Sequence, residues 1–175
     1  MEQMNIPIEQ QLLHALRERG LTFAAAESCT GGLIAKRITD LAGASAVFRG
    51  GVVSYTNEVK RDVLGVPQHL LDKYGAVSGE VAKSMAEGVR RITGADLAVS
   101  VTGVAGPDKD DRGNEVGTVY WGIACDEFSV WAHTPFHFFG DRNSIRNAAA
   151  DMAFRQLLLC AEKNWPIPTS YNSII

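Results

Sequence analysis

The stretch Phe23-Ala24-Ala25-Ala26-Glu27-Ser28-Cys29-Thr30-Gly31-Gly32 decides how this chain is read. Its apolar part predicts a strand over Leu21 to Ala26, nearly all hydrophobic, as a strand buried on both faces is. Thr30-Gly31-Gly32 then opens a helix with Leu33, Ile34, Ile38 and Leu41 facing inward, and Gly43 marks its end. Two further segments, Gly51-Val52-Val53-Ser54-Tyr55 and Leu97-Ala98-Val99-Ser100-Val101-Thr102, also run out into hydroxyl side chains. In an open α/β sheet, ligands settle in the crevice beyond the carboxyl ends of the strands. Ser28, Tyr55 and Thr102 are therefore expected to share one pocket.

Working outward, Ile8 to Arg19 predicts a helix with Ile8, Leu12, Leu13 and Leu16 on one face and Gly20 as its stop. Asn57 is the expected cap of a helix carrying Val59, Val63 and Leu64, and a short helical turn holds Leu70 and Leu71. Ser78 caps a longer helix with Val81, Met85, Val89 and Ile92 in register, closed by Gly94. Gly103 to Glu115 is a polar loop, long against the usual about 4–6 residues. Gly117 to Cys125 and Ser129 to Phe138 predict an antiparallel hairpin, and a last helix runs from Asp141 to about Lys163, before Pro166 and Pro168. Helices alternating with buried strands, plus one hairpin, predict a three-layer α/β/α sandwich with a mixed, mostly parallel central sheet. A single domain is expected over 1–175, its core about 8–163 and its tail 164–175.

The 175 residues are 46% hydrophobic and 21% charged, which suits one domain with a sizeable core. A formal net charge of −3 without a dense Lys/Arg block argues against nucleic acid or an anionic membrane as partner. A small anionic ligand stays open, because a local pocket can be positive in an acidic protein. Three cysteines without C-x-x-C spacing argue against a disulfide framework and a structural zinc. No basic-then-apolar leader opens the chain, and no apolar run approaches the roughly 20 residues that span a bilayer. The expected location is cytoplasmic.

A serine where a strand turns into a helix is exposed at the sheet edge, beside free N–H groups of Cys29, Thr30 and Gly31. Those donors suit an oxyanion or a phosphate. The same residues also serve as an ordinary helix cap, and both readings stand. The proton acceptor for Ser28 is restricted. His14, His69, His133 and His137 sit in unsuggestive contexts, Ser-x-x-Lys is absent because Gly31 fills that place, and Lys36 lies about 12 Å further along the helix. Lys60, five residues past Tyr55, remains: an ammonium near a phenol favours phenolate, and burial lowers a lysine pKa. Ser28, Tyr55 and Lys60 form the candidate catalytic set. Thr102-Gly103-Val104-Ala105-Gly106-Pro107 is a glycine-bracketed turn able to present a hydroxyl and amides. Gly140-Asp141-Arg142, with Arg146 one turn on, makes a candidate anion site. Cys29 is a rival nucleophile lacking a paired histidine. No metal-ligand motif is present.

Taken together, Ala26-Glu27-Ser28-Cys29-Thr30-Gly31-Gly32, Tyr55-Thr56-Asn57-Glu58-Val59-Lys60, Gly75-Ala76-Val77-Ser78, Val101-Thr102-Gly103-Val104-Ala105-Gly106-Pro107 and Gly140-Asp141-Arg142 occur in the order of a known family. Over about Ile8 to Lys163 the chain resembles the CinA C-terminal domain family, which includes the PncC-type nicotinamide-nucleotide amidases. The pyrophosphatase-like domain that precedes this one in longer members is not expected here. The resemblance implies deamidation of nicotinamide mononucleotide to nicotinate mononucleotide and ammonia, with no cofactor or metal, recycling a by-product of NAD consumption. It implies Ser28 as nucleophile and Tyr55 with Lys60 as proton carriers, with either as the immediate base. It further implies Cys29, Thr30, Gly31, Gly32, Asn57, Thr102, Gly103 and Gly106 around the substrate and Arg142 on its phosphate. Homo-oligomers are common in the family, and Trp165-Pro166-Ile167-Pro168 would pack on a neighbour. The chain departs from the family's glycine-rich, Lys-Pro-containing pattern between Asp108 and Glu115, where it carries charges. Two alternatives therefore stand beside the amidase: a catalytically silent nucleotide-binding or regulatory member, and an amidase for another small carboxamide.

Overall fold

Alternation along the strand Phe23–Glu27 (β1) divides its side chains between two cores. Phe23 and Ala25 pack with Leu12, Leu16, Ile34, Ile38 and Phe154. Ala24 and Ala26 pack on the other side with Leu64, Val81, Met85 and Val89. All five residues of β1 are buried, which explains why it reads as one apolar run rather than as an alternating pattern.

The computed structural model describes residues 6–126 and 128–162. Ahead of β1 lies helix α1, Ile8–Arg19, and after it come α2, Leu33–Thr39, and β2, Phe48–Val53. Then follow α3, Asn57–Asp62; α4, Gln68–Tyr74; α5, Gly79–Thr93; and β3, Leu97–Gly103. The last part holds β4, Thr118–Ala124; β5, Ser129–Trp131; β6, Phe136–His137; and α6, Arg142–Glu162. The sheet order is β2-β1-β3-β4-β5, with β6 also paired to β4. β1 runs parallel to β2 and β3, whereas β4 is antiparallel to β3, β5 and β6. The α/β sandwich with a mixed sheet is thus as the sequence predicts, with its parallel part confined to three strands. Because β1 connects outward to β2 and the chain then returns to β3 on its other side, a crevice opens beyond the carboxyl ends of β1 and β3.

Helices α1, α2 and α6 cover one face. Arg37 knits them together, reaching Glu9 at 2.9 Å and Asp151 at 2.8 Å while its guanidinium lies 5.1 Å from the Phe154 ring centre. Helix α5 covers the other face and approaches closely: a Cβ on Gly88 would stand 2.0 Å from the Leu64 carbonyl oxygen, and one on Gly122 2.5 Å from that of Ala82. The small side chains of β1 and β3 on that face, Ala24, Ala26, Ala98 and Ser100, are what allow the close approach. At the opposite end of the sheet, Asp96 accepts from the Thr22 N–H and hydroxyl, each at 2.7 Å, and ties β1 to β3.

Four local expectations change. The N-cap of α3 is Thr56, which accepts from the Val59 N–H at 3.4 Å, and Asn57 is the first helical residue. Ile92, in the last turn of α5, is half exposed rather than part of the core. The second hairpin strand is divided into β5 and β6, with Pro135, which has no N–H to give the ladder, in the gap. Asp141 lies before α6 rather than within it, and accepts from the Ser144 N–H at 2.8 Å. Lys163 and the tail with Trp165 lie outside the described residues. Among the described residues, no helix is long and apolar enough to cross a membrane.

Candidate active site

Consecutive residues of an extended strand point to opposite faces, and at the end of β1 this separates Glu27 from Ser28. The Glu27 carboxylate turns toward α2 and accepts from the N–H groups of Gly32 at 3.0 Å, Ile34 at 3.1 Å and Ala35 at 2.9 Å. It thereby caps a helix whose own N-cap, Gly32, has no side chain to offer. Ser28 turns to the other side, toward α3, where its Oγ meets Lys60.

Lys60 is 1% exposed, and among the described residues no other cationic side chain is buried. Its Nζ donates to Ser28 Oγ at 3.0 Å and to the Ser54 carbonyl oxygen at 2.6 Å. No carboxylate is among these partners, so burial dominates and lowers the Lys60 pKa from 10.5 to about 8. At pH 7 about a tenth of Lys60 is therefore the free amine. In that state one N–H still holds Ser54 while the lone pair accepts the Ser28 proton. That is the arrangement a serine–lysine nucleophile requires.

The turn after Ser28 is held from two sides. The Ser28 N–H donates to Val101 O at 3.0 Å, and the Gly31 N–H to Ser28 O at 3.1 Å. Arg146 of α6 donates through Nε to Cys29 O at 3.2 Å and through a terminal nitrogen to Thr30 O at 2.8 Å. With Gly32, Ile34 and Ala35 taken by Glu27, the amides of Cys29 and Thr30 enter none of these bonds. Arg146, expected as part of an anion site, instead spends its donors on carbonyls of the nucleophile's own turn.

Ser28, Tyr55 and Thr102 do line one cleft, of about 190 Å³, together with Cys29, Asn57, Lys60, Gly103 and Arg142. Ala76, Val77 and Ala105 complete its wall and were not singled out as site residues from sequence. The expected tyrosine–lysine pair does not form. Tyr55 is 59% exposed, and its hydroxyl accepts from Arg142 at 2.9 Å; Arg142 also donates to Gly106 O. The five-residue spacing misleads because α3 starts between them, rotating Lys60 inward and leaving Tyr55 at the rim. Thr102 donates its hydroxyl to Ala76 O at 2.8 Å, so it shapes the wall with its proton already committed. Thr30, Gly31 and Gly32 form the turn behind the cleft rather than its lining. The Cys29 thiol is buried and pushed up to about 12, first by desolvation, so it stays protonated and is a poor nucleophile.

The charged loop that departs from the family pattern is ordered by its own charges. Asp110 accepts from the N–H groups of Arg112 at 3.0 Å and Asn114 at 2.8 Å and from the Asn114 amide at 2.7 Å. Arg112 then reaches the carbonyls that end α4, Leu71 O at 3.1 Å and Lys73 O at 3.3 Å. Cations are favoured there because the helix dipole is negative at its C-terminus. The anchor holds the segment that continues into Ala76 and Val77, which wall the cleft. Among the described residues, no group of three or more His, Cys, Asp or Glu gathers where a metal ion would sit.

Comparison with known proteins agrees with this architecture. Residues 5–161 match the family described as CinA C-terminal domain. Over 157 residues, 88% of the chain, it is 49% identical to a "CinA-like protein" of Geobacter sulfurreducens, of which the match covers 38%; the chain thus spans well under half the length of that curated relative. The crystal structure of a CinA superfamily protein from Klebsiella pneumoniae superposes with a TM-score of 0.84 at 30% identity, covering 88% of this chain and 95% of that one. A competence/damage inducible protein from Agrobacterium tumefaciens superposes with a TM-score of 0.82 at 36% identity, over 93% of this chain and 100% of the other.

Proposed function

The chain belongs to the CinA C-terminal domain family, and from that premise we propose that it is an amidohydrolase converting nicotinamide mononucleotide to nicotinate mononucleotide and ammonia. The observation that carries the reading is the buried Lys60 Nζ, 3.0 Å from Ser28 Oγ at the carboxyl end of β1. A lysine kept without a carboxylate partner costs stability, and a lowered pKa is what a general base working near neutrality needs.

In the scheme, neutral Lys60 takes the Ser28 hydroxyl proton as Oγ bonds to the carboxamide carbon. The resulting oxyanion is met by the amide of Cys29, the residue of the turn that lines the cleft beside Ser28. Lys60 returns the proton to the amide nitrogen, the C–N bond breaks, and ammonia leaves an ester on Ser28. Water then gives a proton to Lys60 as its oxygen bonds to the ester carbon, and Lys60 returns that proton to Ser28 Oγ as the C–Oγ bond breaks and the acid leaves. Lys60 is the immediate base in this scheme, since it touches Ser28 directly. Tyr55 and Arg142 stand at the mouth, where a guanidinium suits the ribose phosphate and an exposed phenol suits the ring or sugar. No organic cofactor or metal enters any step.

The test is ammonia release from nicotinamide mononucleotide beside nicotinamide riboside and free nicotinamide. The expected result is turnover that depends on the phosphate. Absence of ammonia from the mononucleotide removes this reading, and equal rates on all three amides would make the protein a general small-carboxamide amidase.

A further inference from the structure

We propose that Arg112 is a positioning residue for selectivity: from the charged loop it fixes the Ala76–Val77 wall of the cleft, and with it the fit of a substrate's flat ring. The proposal rests on the serine amidase reading above.

The wall hangs on Gly75. At φ +80° and ψ 164° this residue lies in a region that glycine alone adopts without strain. Glycine's freedom leaves the direction of the chain that follows it to outside contacts. Two of these hold carbonyls: Ser78 donates its hydroxyl to Gly75 O at 2.8 Å, and Thr102 of β3 donates to Ala76 O at 2.8 Å. Arg112 supplies the third. Its stem fills the side on which Gly75 lacks a side chain, where an added Cβ would stand 2.6 Å from Arg112 Cδ and 2.8 Å from Nε. Beyond the stem, the guanidinium donates to the carbonyl oxygens of Leu71, Asp72 and Lys73. The end of α4 and the glycine before the wall are thus gripped by one side chain.

Arg112 is itself held. The Val104 N–H donates to Thr118 O at 2.9 Å and the Gly117 N–H to Val104 O at 2.7 Å, which cinches the two ends of the loop. Asp110 gathers the Arg112 N–H and Asn114 into a turn at its tip. Among the described residues, the hydrogen bonds that join this loop to α4 are all made by Arg112. No carboxylate among them lies within ion-pair distance to draw it away. Of the residues lining the cleft, the aliphatic ones are Ala76, Val77 and Ala105. The apolar face of a ring whose carboxamide reaches Ser28 packs there, and two of the three stand on the segment that Arg112 fixes.

The experiment compares wild type, Arg112→Ala and Arg112→Lys, each checked for native circular dichroism. Two readouts are used. One is steady-state ammonia release from nicotinamide mononucleotide. The other is the second-order rate of Ser28 sulfonylation by phenylmethanesulfonyl fluoride, which carries a flat ring, and by methanesulfonyl fluoride, which does not. We expect Arg112→Ala to raise KM about 3- to 10-fold with kcat within about twofold. The same variant should slow the aromatic reagent by a similar factor and leave the methyl reagent within about twofold. Arg112→Lys, which keeps a stem on Gly75 and a charge for one carbonyl, should fall between, and it serves alone if the alanine variant does not fold. An unchanged KM and reagent ratio in a folded variant overturns the proposal. An equal loss with both reagents also overturns it, since that marks a general loss of structure rather than of ring fit. If wild type is sulfonylated at Ser28 but releases no ammonia from the mononucleotide, the substrate reading fails, and the reagent ratio still decides the role of Arg112. If wild type does neither, both fall.

Discussion

Replacing Lys60 with methionine removes a buried cation while keeping a side chain of similar length, and the consequence for stability has a sign that depends on pH. The Lys60 pKa is about 8 in the folded protein against an ordinary 10.5. At about 1.36 kcal/mol per pH unit, the gap corresponds to about 3 kcal/mol. Below pH 8 the lysine is charged in both folded and unfolded chains, and the whole burial cost is present. Between 8 and 10.5 the unfolded chain binds the proton that the folded one has released, so stability rises with pH. Above 10.5 the contribution is level. Urea midpoints of wild type and Lys60→Met, measured from pH 6.5 to 10.5, isolate this term because other titrations are shared by the two proteins. The difference in unfolding free energy should move in favour of wild type by about 3 kcal/mol across that range. In the same buffers, wild-type kcat/KM should climb with unit slope and level off near pH 8, while Lys60→Met loses about a hundredfold to ten-thousandfold. A stability difference that does not change with pH would refute the claim that Lys60 is held by desolvation, and with it the source of its basicity.

Other outcomes follow from the same geometry. Glu27→Gln gives up the charge on three amide bonds at the start of α2 and should cost about 1–3 kcal/mol in urea unfolding. Gly88→Ala puts a Cβ 2.0 Å from Leu64 O; α5 must lift from the turn that follows α3, and the melting temperature should drop by several degrees or more. Cys29→Ser should keep kcat within about threefold, and native Cys29 should resist iodoacetamide at pH 8, since its thiol is pushed up to about 12. Arg142→Ala should raise KM for phosphorylated amides about tenfold or more while leaving unphosphorylated ones unchanged, as kinetics on the paired substrates will show.

Much of the frame was legible because it is written in short-range rules. β1 and β3 follow from short apolar runs, α1 and α5 from 3.6-residue patterns closed by glycine, and the common cleft follows from hydroxyls placed at strand ends. What was hidden are side chains whose partners are distant in sequence and lie on another element. Arg146 finds carbonyls more than a hundred residues away, and no local pattern distinguishes that from an anion site. Glu27 did leave a signal: an acid ending an all-apolar strand, followed by a helix start without a capping side chain, requires a partner that the helix amides supply. The Tyr55–Lys60 pairing failed for the opposite reason. Nearness in sequence was taken as nearness in space, whereas the first turn of α3 separates the two. The charged Asp108–Glu115 segment showed in composition that it differs from the family pattern, but only coordinates reveal Arg112 on the carbonyls of α4.

The account depends on Ser28 Oγ as the atom that attacks, and ammonia release by Ser28→Ala tests this most directly. With native circular dichroism and retained binding of the mononucleotide, the variant should lose at least about a thousandfold in kcat. Release at the wild-type rate from that folded variant would mean that another group, or water alone, performs the attack.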